Sequence, residues 1–311
     1  MKTHRFLFVG LGSIGLRHLR NLHHVAEWMG MPIEVEALRH SSGVLSDELQ
    51  TLLCKTFTDI AELGEYDAIF ICNPTQLHIE TLLRLKDASS CFFIEKPLDV
   101  APLTSDQRKC LEGKRIYVAC PLRHTRLFEE LKGFTRANTI VSARVICSSY
   151  LPEWRAGSDY RTLYCANPQS GGVKLDLIHD FDYVIELFGM PERRLLVEAK
   201  VSSLEIASSD ITVAVFIYHD KLVELHLDYF GRVPQRSIEL FTQEDVTTFD
   251  FIKNEVRRAK AGICTAFAED ANDKYLAEIK RFLGVMLDEE ANVNDVDKAN
   301  SLLKLVLQGD I

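Results

Sequence analysis

The strand-like run Phe6–Val9 feeds without a break into "GLGSIG", residues 10–15, and a helical stretch follows at once. No other feature constrains the fold of this chain as much. A G-x-G-x-x-G pattern between a strand and a helix lets the backbone turn tightly and approach a pyrophosphate, which then meets the positive end of the helix. Gly10, Gly12 and Gly15 supply the pattern, with Ser13 and Ile14 between them, and all five are candidates for holding a dinucleotide.

The residues up to 120 continue the alternation that such a start predicts. Apolar runs at Ile33–Leu38, Ala68–Cys72, Cys91–Ile94 and Ile116–Cys120, with a weaker one at Lys55–Phe57, are spaced by helical stretches at Ile14–Met29, Asp47–Leu53, Gln76–Lys86 and Thr104–Leu111. Strands separated by helices imply right-handed βαβ crossovers and a parallel sheet. Beyond residue 120 the pattern changes. A helix at Arg126–Arg136, a strand at Thr139–Ser148 and an aromatic-rich irregular stretch precede a helix over Val173–Phe188. Strand-like runs then follow one another at Leu195–Ser203, Ile211–His219, Leu222–Phe230 and Arg236–Thr242, which suggests an antiparallel sheet. Helices at Asp273–Leu287 and Val296–Leu307 close the chain. The expected fold is α/β: a doubly wound Rossmann domain over residues 1–120, and an α+β domain with a mainly antiparallel open sheet over 121–311.

Bulk properties exclude several functions. The formal net charge of −9 argues against a nucleic-acid partner, which usually meets a basic face. No apolar run approaches the ~18 residues of a membrane span, and "MKTHRFLFVG" reads as a first strand rather than a signal peptide, so a cytoplasmic location is expected. The eight cysteines form no CxxC or CxH pair and several sit in apolar runs, so they read as reduced thiols and no metal site is expected.

Chemistry concentrates at strand ends and on one helix. An NAD site usually places Asp or Glu at the end of the second strand; here Glu36 comes early and the tip is Arg39, His40, Ser41 and Ser42. A guanidinium with two hydroxyls suits a 2′-phosphate, so Arg39, Ser41 and Ser42 favour NADP(H) over NAD(H). The fourth strand ends in "CNPTQLH", where Asn73 and Pro74 make a turn at the ligand-binding edge and His78 lines the site. The fifth ends in Glu95-Lys96-Pro97, where an ammonium could bond a substrate oxygen and shuttle its proton as hydride moves. Within "GGVKLDLIHDFDYVIELFG", one continuous helix would put Asp176, His179, Asp180 and Tyr183 on one face, an imidazole among carboxylates poised to exchange protons.

Together these elements resemble the glucose–fructose oxidoreductase / inositol dehydrogenase family (Gfo/Idh/MocA). The order GxGxxG, N-P-x-x-x-H, E-K-P and G-G-x-x-x-D with a nearby histidine runs over nearly the whole chain. The resemblance implies that Lys96 is the catalytic lysine and His179 its partner, with Asp176 beside it, and that Glu95, Asn73 and His78 frame the nicotinamide and its ribose. It also implies a cis bond before Pro97, and a C-terminal sheet that packs in a homodimer or homotetramer. Here His179 follows Asp176 by three residues rather than four, and Asp180 holds the fourth position, leaving open which carboxylate orients the imidazole. The stretch "SSYLPEWRAGSDYRTLY" resembles a subgroup from bacterial surface-sugar biosynthesis, including sialic-acid-like sugars. Trp154, Arg155, Tyr160 and Arg161 could then stack on a sugar ring and clamp a phosphate or carboxylate, with Arg123 and Asp180 in the same cleft. The expected activity is NAD(P)-dependent hydride transfer to or from a sugar carbon. The alternatives are a redox-neutral epimerase or eliminase that retains its cofactor, and a non-catalytic sensor.

Overall fold

A computed structural model describes residues 2–308. The chain divides into two compact units, Met1–Pro121 with Asn272–Lys304, and Leu122–Ala271 with Leu305–Ile311. The first boundary falls beside the expected one, but residues 272–304, expected in the second domain, belong to the first.

The first unit runs β1 (His4–Val9), α1 (Ser13–Trp28), β2 (Ile33–Leu38), α2 (Asp47–Leu52), β3 (Lys55–Phe57), β4 (Ala68–Ile71), α3 (His78–Leu85), β5 (Cys91–Ile94), α4 (Ser105–Cys110) and β6 (Arg115–Val118). Its strands form a parallel sheet in the order β3-β2-β1-β4-β5-β6, the doubly wound Rossmann order. Order and register together explain its central packing. Phe8, Phe70, Phe93 and Tyr117 are direct neighbours across four adjacent strands, so their rings form a row with centroids 4.4, 5.0 and 5.6 Å apart. Each such pair adds about 0.5–1.5 kcal/mol beyond simple burial.

The second unit starts with α5 (Arg126–Ala137) and β7 (Ser142–Tyr150), then α6 (Val173–Asp176) and α7 (Ile178–Phe188). Strands β8 (Arg193–Ala199), β9 (Ile211–Ile217), β10 (Leu222–Asp228), β11 (Phe230–Phe241), β12 (Val246–Asp250), β13 (Glu255–Arg258) and β14 (Ile263–Ala266) complete it. The eight-stranded sheet has the order β14-β13-β12-β11-β7-β10-β9-β8 and is antiparallel except where β7 pairs with β10. The run expected as one strand at Leu222–Phe230 divides at Tyr229, and three strands after residue 245 were not foreseen. Their sequences, such as "EVRR", lack the apolar density of a buried strand because β13 and β14 are mostly exposed.

The expected continuous helix over Val173–Phe188 is broken at Leu177, whose φ of −95° and ψ of 23° leave the helical region. The shared face assumed for Asp176 and His179 therefore does not follow from helical spacing.

Finally α8 (Asp273–Met286) and α9 (Val296–Leu307) return. Phe282 of α8 meets Phe70, Phe93 and Tyr117 edge-on at 5.1, 5.3 and 5.9 Å, sealing the aromatic row. That contact explains why this C-terminal helix joins the N-terminal unit. Among the described residues no helix is long and apolar enough to cross a membrane. All eight cysteines are free thiols.

Candidate functional site

At the carboxyl edge of the parallel sheet lies a cleft of about 700 Å³, lined on one side by Val9, Gly10, Asn73 and Pro74 and on the other by Arg39, His40, Ser41, Thr58 and Asp59. Its floor is a loop that only glycine can make. Gly10 has φ +94°, and a Cβ there would lie 2.5 Å from the backbone nitrogen of Asn73. A Cβ on Gly15 would overlap the carbonyl of Gly10. Gly12 differs: apart from its own residue and chain neighbours, no described residue comes within 4 Å of where its Cβ would stand. Gly12 is also the N-cap of α1, so the open space sits at the helix's positive end, and the first turn, Ser13-Ile14-Gly15-Leu16, carries no carboxylate. This cradle fits a dinucleotide pyrophosphate.

The rim above β2 separates Glu36 from the cleft. Glu36 Oε2 accepts hydrogen bonds from Tyr66 Oη at 2.5 Å and Arg5 Nη2 at 3.2 Å, so its carboxylate is committed within the fold. Arg39 stands at the strand's end and donates from Nη1 to Gly43 O at 2.7 Å. Ser41 lines the cleft, whereas Ser42 is exposed outside its walls. Arg84 and Thr81 of α3 complete the wall and were not foreseen.

Asn73 donates from Nδ2 to Thr81 Oγ1 at 2.8 Å, while its Oδ1 has no hydrogen-bond partner among the described residues. His78, expected to line the site, is 1% exposed and lies behind it. Its Nδ1 faces Pro97 O and its Nε2 faces Asn73 O, both at 2.9 Å. Burial pushes its pKa down against the pull of those two carbonyls. Glu95 is likewise buried, with Oε1 2.5 Å from His18 Nε2 and Oε2 accepting the Lys96 backbone N–H at 3.0 Å. Burial pushes the Glu95 carboxyl upward, but His18 and Lys96 outweigh it, and its pKa lies below the usual value. Lys96 follows at the strand's carboxyl end, half-buried, and the Lys96–Pro97 bond is cis, as the resemblance implied. His18 escaped the reading of the sequence. The signal was there: Gly15, His18, Leu19, Leu22, Val25 and Ala26 recur with helical spacing on the buried face of α1.

The second unit holds the remaining candidates, and it regroups them. Asp176 accepts the hydroxyl of buried Tyr229, and Tyr164 lies close enough for burial and Asp176 to raise its pKa well above normal. Trp154 stands edge-on to Tyr229 at 5.2 Å and donates from Nε1 to Ser149 Oγ at 3.0 Å. Arg155 lies over the Tyr164 ring at 6.0 Å. Asp176, Trp154 and Arg155 thus gather around two tyrosines that sequence reasoning passed over. His179 is half-buried in the first turn of α7.

Four of the expected ligand residues have partners within the fold. Asp180 is fully buried and accepts from Arg236 Nη2 at 3.1 Å; burial drives its carboxyl upward despite that cation. Arg123 is 8% exposed and grips Asp182 through Nε and Nη2 at 2.7 and 2.6 Å, and Glu186 through Nη1 at 2.7 Å. Arg161 is exposed but is bracketed by Asp159 at 2.8 Å and Glu205 at 3.1 Å. Tyr160 accepts the Glu205 N–H at 3.2 Å.

Comparison with known proteins agrees with this geometry. Residues 4–118 match the model of the oxidoreductase family with an NAD-binding Rossmann fold, GFO_IDH_MocA. The chain is 26% identical over 187 residues to an uncharacterized oxidoreductase of Bacillus subtilis, spanning about half of that relative (58% of this chain, 52% of that protein). It is 26% identical over 320 residues to a myo-inositol 2-dehydrogenase of Thermotoga maritima, covering 95% of this chain and 92% of that protein. A solved levoglucosan dehydrogenase in complex with NADH and levoglucosan superposes with a TM-score of 0.81 over 97% of this chain and 95% of its own, at 13% identity. The glycine-loop Rossmann domain, residues 4–118, thus matches the NAD-binding domain of the Gfo/Idh/MocA oxidoreductases.

Proposed function

We propose that this protein is an NAD(P)-dependent dehydrogenase that oxidises a ring hydroxyl of an uncharged sugar or cyclic polyol, or reduces the corresponding ketone. The observation that carries the reading is the placement of Lys96 at the carboxyl end of β5, beside the cleft whose glycine loop fits a pyrophosphate. The first unit would hold the cofactor through Gly10, Gly12, Ser13, Ile14, Gly15, Asn73 and Pro74. When bound, the nicotinamide supplies the hydride acceptor or donor. Lys96 and His179 hold and move the hydroxyl proton, and Asp176 with Trp154 and Arg155 orients the sugar.

NADP(H) is the preferred form in this reading. Glu36 is committed to Tyr66 and Arg5, and the strand tip offers Arg39 and Ser41 with Arg84 across the cleft. A guanidinium pairs bidentately with a 2′-phosphate and far more weakly with a neutral 2′-hydroxyl.

An uncharged substrate is preferred because two of the three arginines expected to clamp an anion, Arg123 and Arg161, are paired with carboxylates, and Arg155 lies over the Tyr164 ring. The family relatives named for myo-inositol and levoglucosan support the same class. A homodimer or homotetramer is proposed through the sheet, where Leu195, Val197 and Leu222 are exposed.

A panel of inositols, free sugars, sugar phosphates and nucleotide sugars, followed by nicotinamide absorbance with each cofactor, tests this. Turnover of a free sugar or inositol with NADP⁺ preferred is the expected result. Turnover confined to phosphorylated or nucleotide-linked sugars would contradict the substrate class, and a kcat/KM higher with NAD⁺ would contradict the cofactor preference.

A further inference from the structure

We propose that His18 and His78 are positioning residues for Lys96: two buried imidazoles that pin the residues on either side of it and so fix the direction in which its ammonium leaves the sheet. This rests on the reading that Lys96 handles the substrate proton. A lysine side chain carries about 2 kcal/mol of rotamer entropy on a flexible stem, so its aim depends on how firmly its backbone is held. Misplacing a reacting group by about 1 Å costs about 10²-fold in rate.

The turn after β5 is held at both flanks of Lys96. On one side His18, 0% exposed, stands 2.5 Å from Glu95 Oε1, and its ring meets Phe93 of β5 edge-on at 4.8 Å. Its Nδ1 has no hydrogen-bond partner among the described residues, so the ring proton belongs on Nε2, where the carboxylate accepts it. The second oxygen of Glu95 accepts the backbone N–H of Lys96 itself at 3.0 Å. On the other side His78 stands 2.9 Å from both Pro97 O and Asn73 O, and its single ring proton, on Nδ1 or Nε2, is donated to one of these two carbonyls. Two residues beyond Pro97, Asp99 accepts the N–H of Ile79 at 3.2 Å and that of Val100 at 2.6 Å.

The origins of the two histidines give the arrangement a purpose beyond filling space. His18 sits on the helix that begins at the glycine loop, three residues after Gly15. His78 opens the helix that follows the Asn73-Pro74 turn. Each therefore ties a loop of the cofactor cleft to the lysine turn. A core-filling ring needs only apolar contact, whereas these place three of their four nitrogens 2.5–2.9 Å from an oxygen of Glu95, Pro97 or Asn73.

His18→Leu keeps the volume and removes the donor; His18→Gln returns an amide N–H near the Nε2 position; His18→Asn carries the same amide but stops short of Glu95. The first readout is kcat with the cofactor Kd, measured in full-length protein below its melting temperature. The second is the acylation rate of the Lys96 amine, followed by competitive labelling and peptide mass spectrometry against the other lysines. We expect His18→Leu to lose about 10²-fold in kcat with cofactor Kd within about threefold of wild type, and to change the labelling of Lys96 alone. His18→Gln should recover most of both. If His18→Leu does not fold, the Gln and Asn variants make the same comparison, with Asn predicted to behave like Leu. Folded variants with lowered stability but wild-type kcat and Lys96 labelling would overturn the proposal. Should Lys96→Met retain turnover, the proton role of Lys96 falls, and unchanged labelling in the His18 variants would still be needed to overturn the clamp.

Discussion

The carboxyl edge of the Rossmann sheet and the group of contacts around α6 and α7 both collect charged and aromatic residues, yet they are built in opposite ways. At the sheet edge, function is set by backbone: a positive-φ Gly10, an open Gly12, and a lysine placed by the end of a strand. Around α7 everything depends on which side chain takes which partner. There, Arg123, Asp180, Asp182 and Glu186 are consumed by ion pairs with one another or with Arg236. Charge in a sequence marks a site only when the fold leaves it unanswered.

The sharpest way to break this contrast is at the buried pair of Arg236 and Asp180. If the pair belongs to the fold, Arg236→Met strands a fully buried carboxylate and should cost about 3–5 kcal/mol in denaturant unfolding. The double variant Arg236→Met/Asp180→Leu should regain most of that loss. If Asp180→Asn instead raised KM for the sugar with stability unchanged, Asp180 would return to the substrate site.

A smaller effect sharpens the other side. Serine is a strong N-cap, so Gly12→Ser should keep or slightly raise thermal stability. Its side chain would nevertheless enter the open space above α1, and cofactor affinity should fall by about tenfold or more, or roughly 1.4 kcal/mol. Unchanged affinity by calorimetric titration would mean that the pyrophosphate does not approach this glycine.

The same contrast explains what the sequence disclosed. The parallel sheet, its strand order and the cleft residues Gly10, Arg39, Ser41, Asn73 and Pro74 were legible because strand–glycine–helix patterns are local, and the doubly wound order follows from them. Asp176 was singled out by the sequence, but its tyrosine neighbours were not. Tyr229 lies 53 residues away beyond three strands, and nothing in "LDYFG" advertises a hydroxyl aimed at a helix end. The break at Leu177 was hidden because "VKLDLIHDF" satisfies helical periodicity throughout. The ion pairs of Arg123 were hidden because Asp182 and Glu186 come from a segment that only tertiary folding brings near, whereas Arg161 has one partner, Asp159, two residues away and a second, Glu205, distant in the chain. The fate of α8 was invisible too, since its attachment depends on Phe282 meeting a row of rings assembled from four strands.

The central claim is that the ammonium of Lys96 acts on the substrate and contributes little to holding the cofactor. Lys96→Met, compared with wild type by cofactor titration and by single-turnover hydride transfer to the best substrate of the panel, tests it most directly. The account predicts a cofactor Kd within about threefold of wild type and a hydride-transfer rate reduced by about 10² or more. A folded Lys96→Met protein that transfers hydride at the wild-type rate would contradict it.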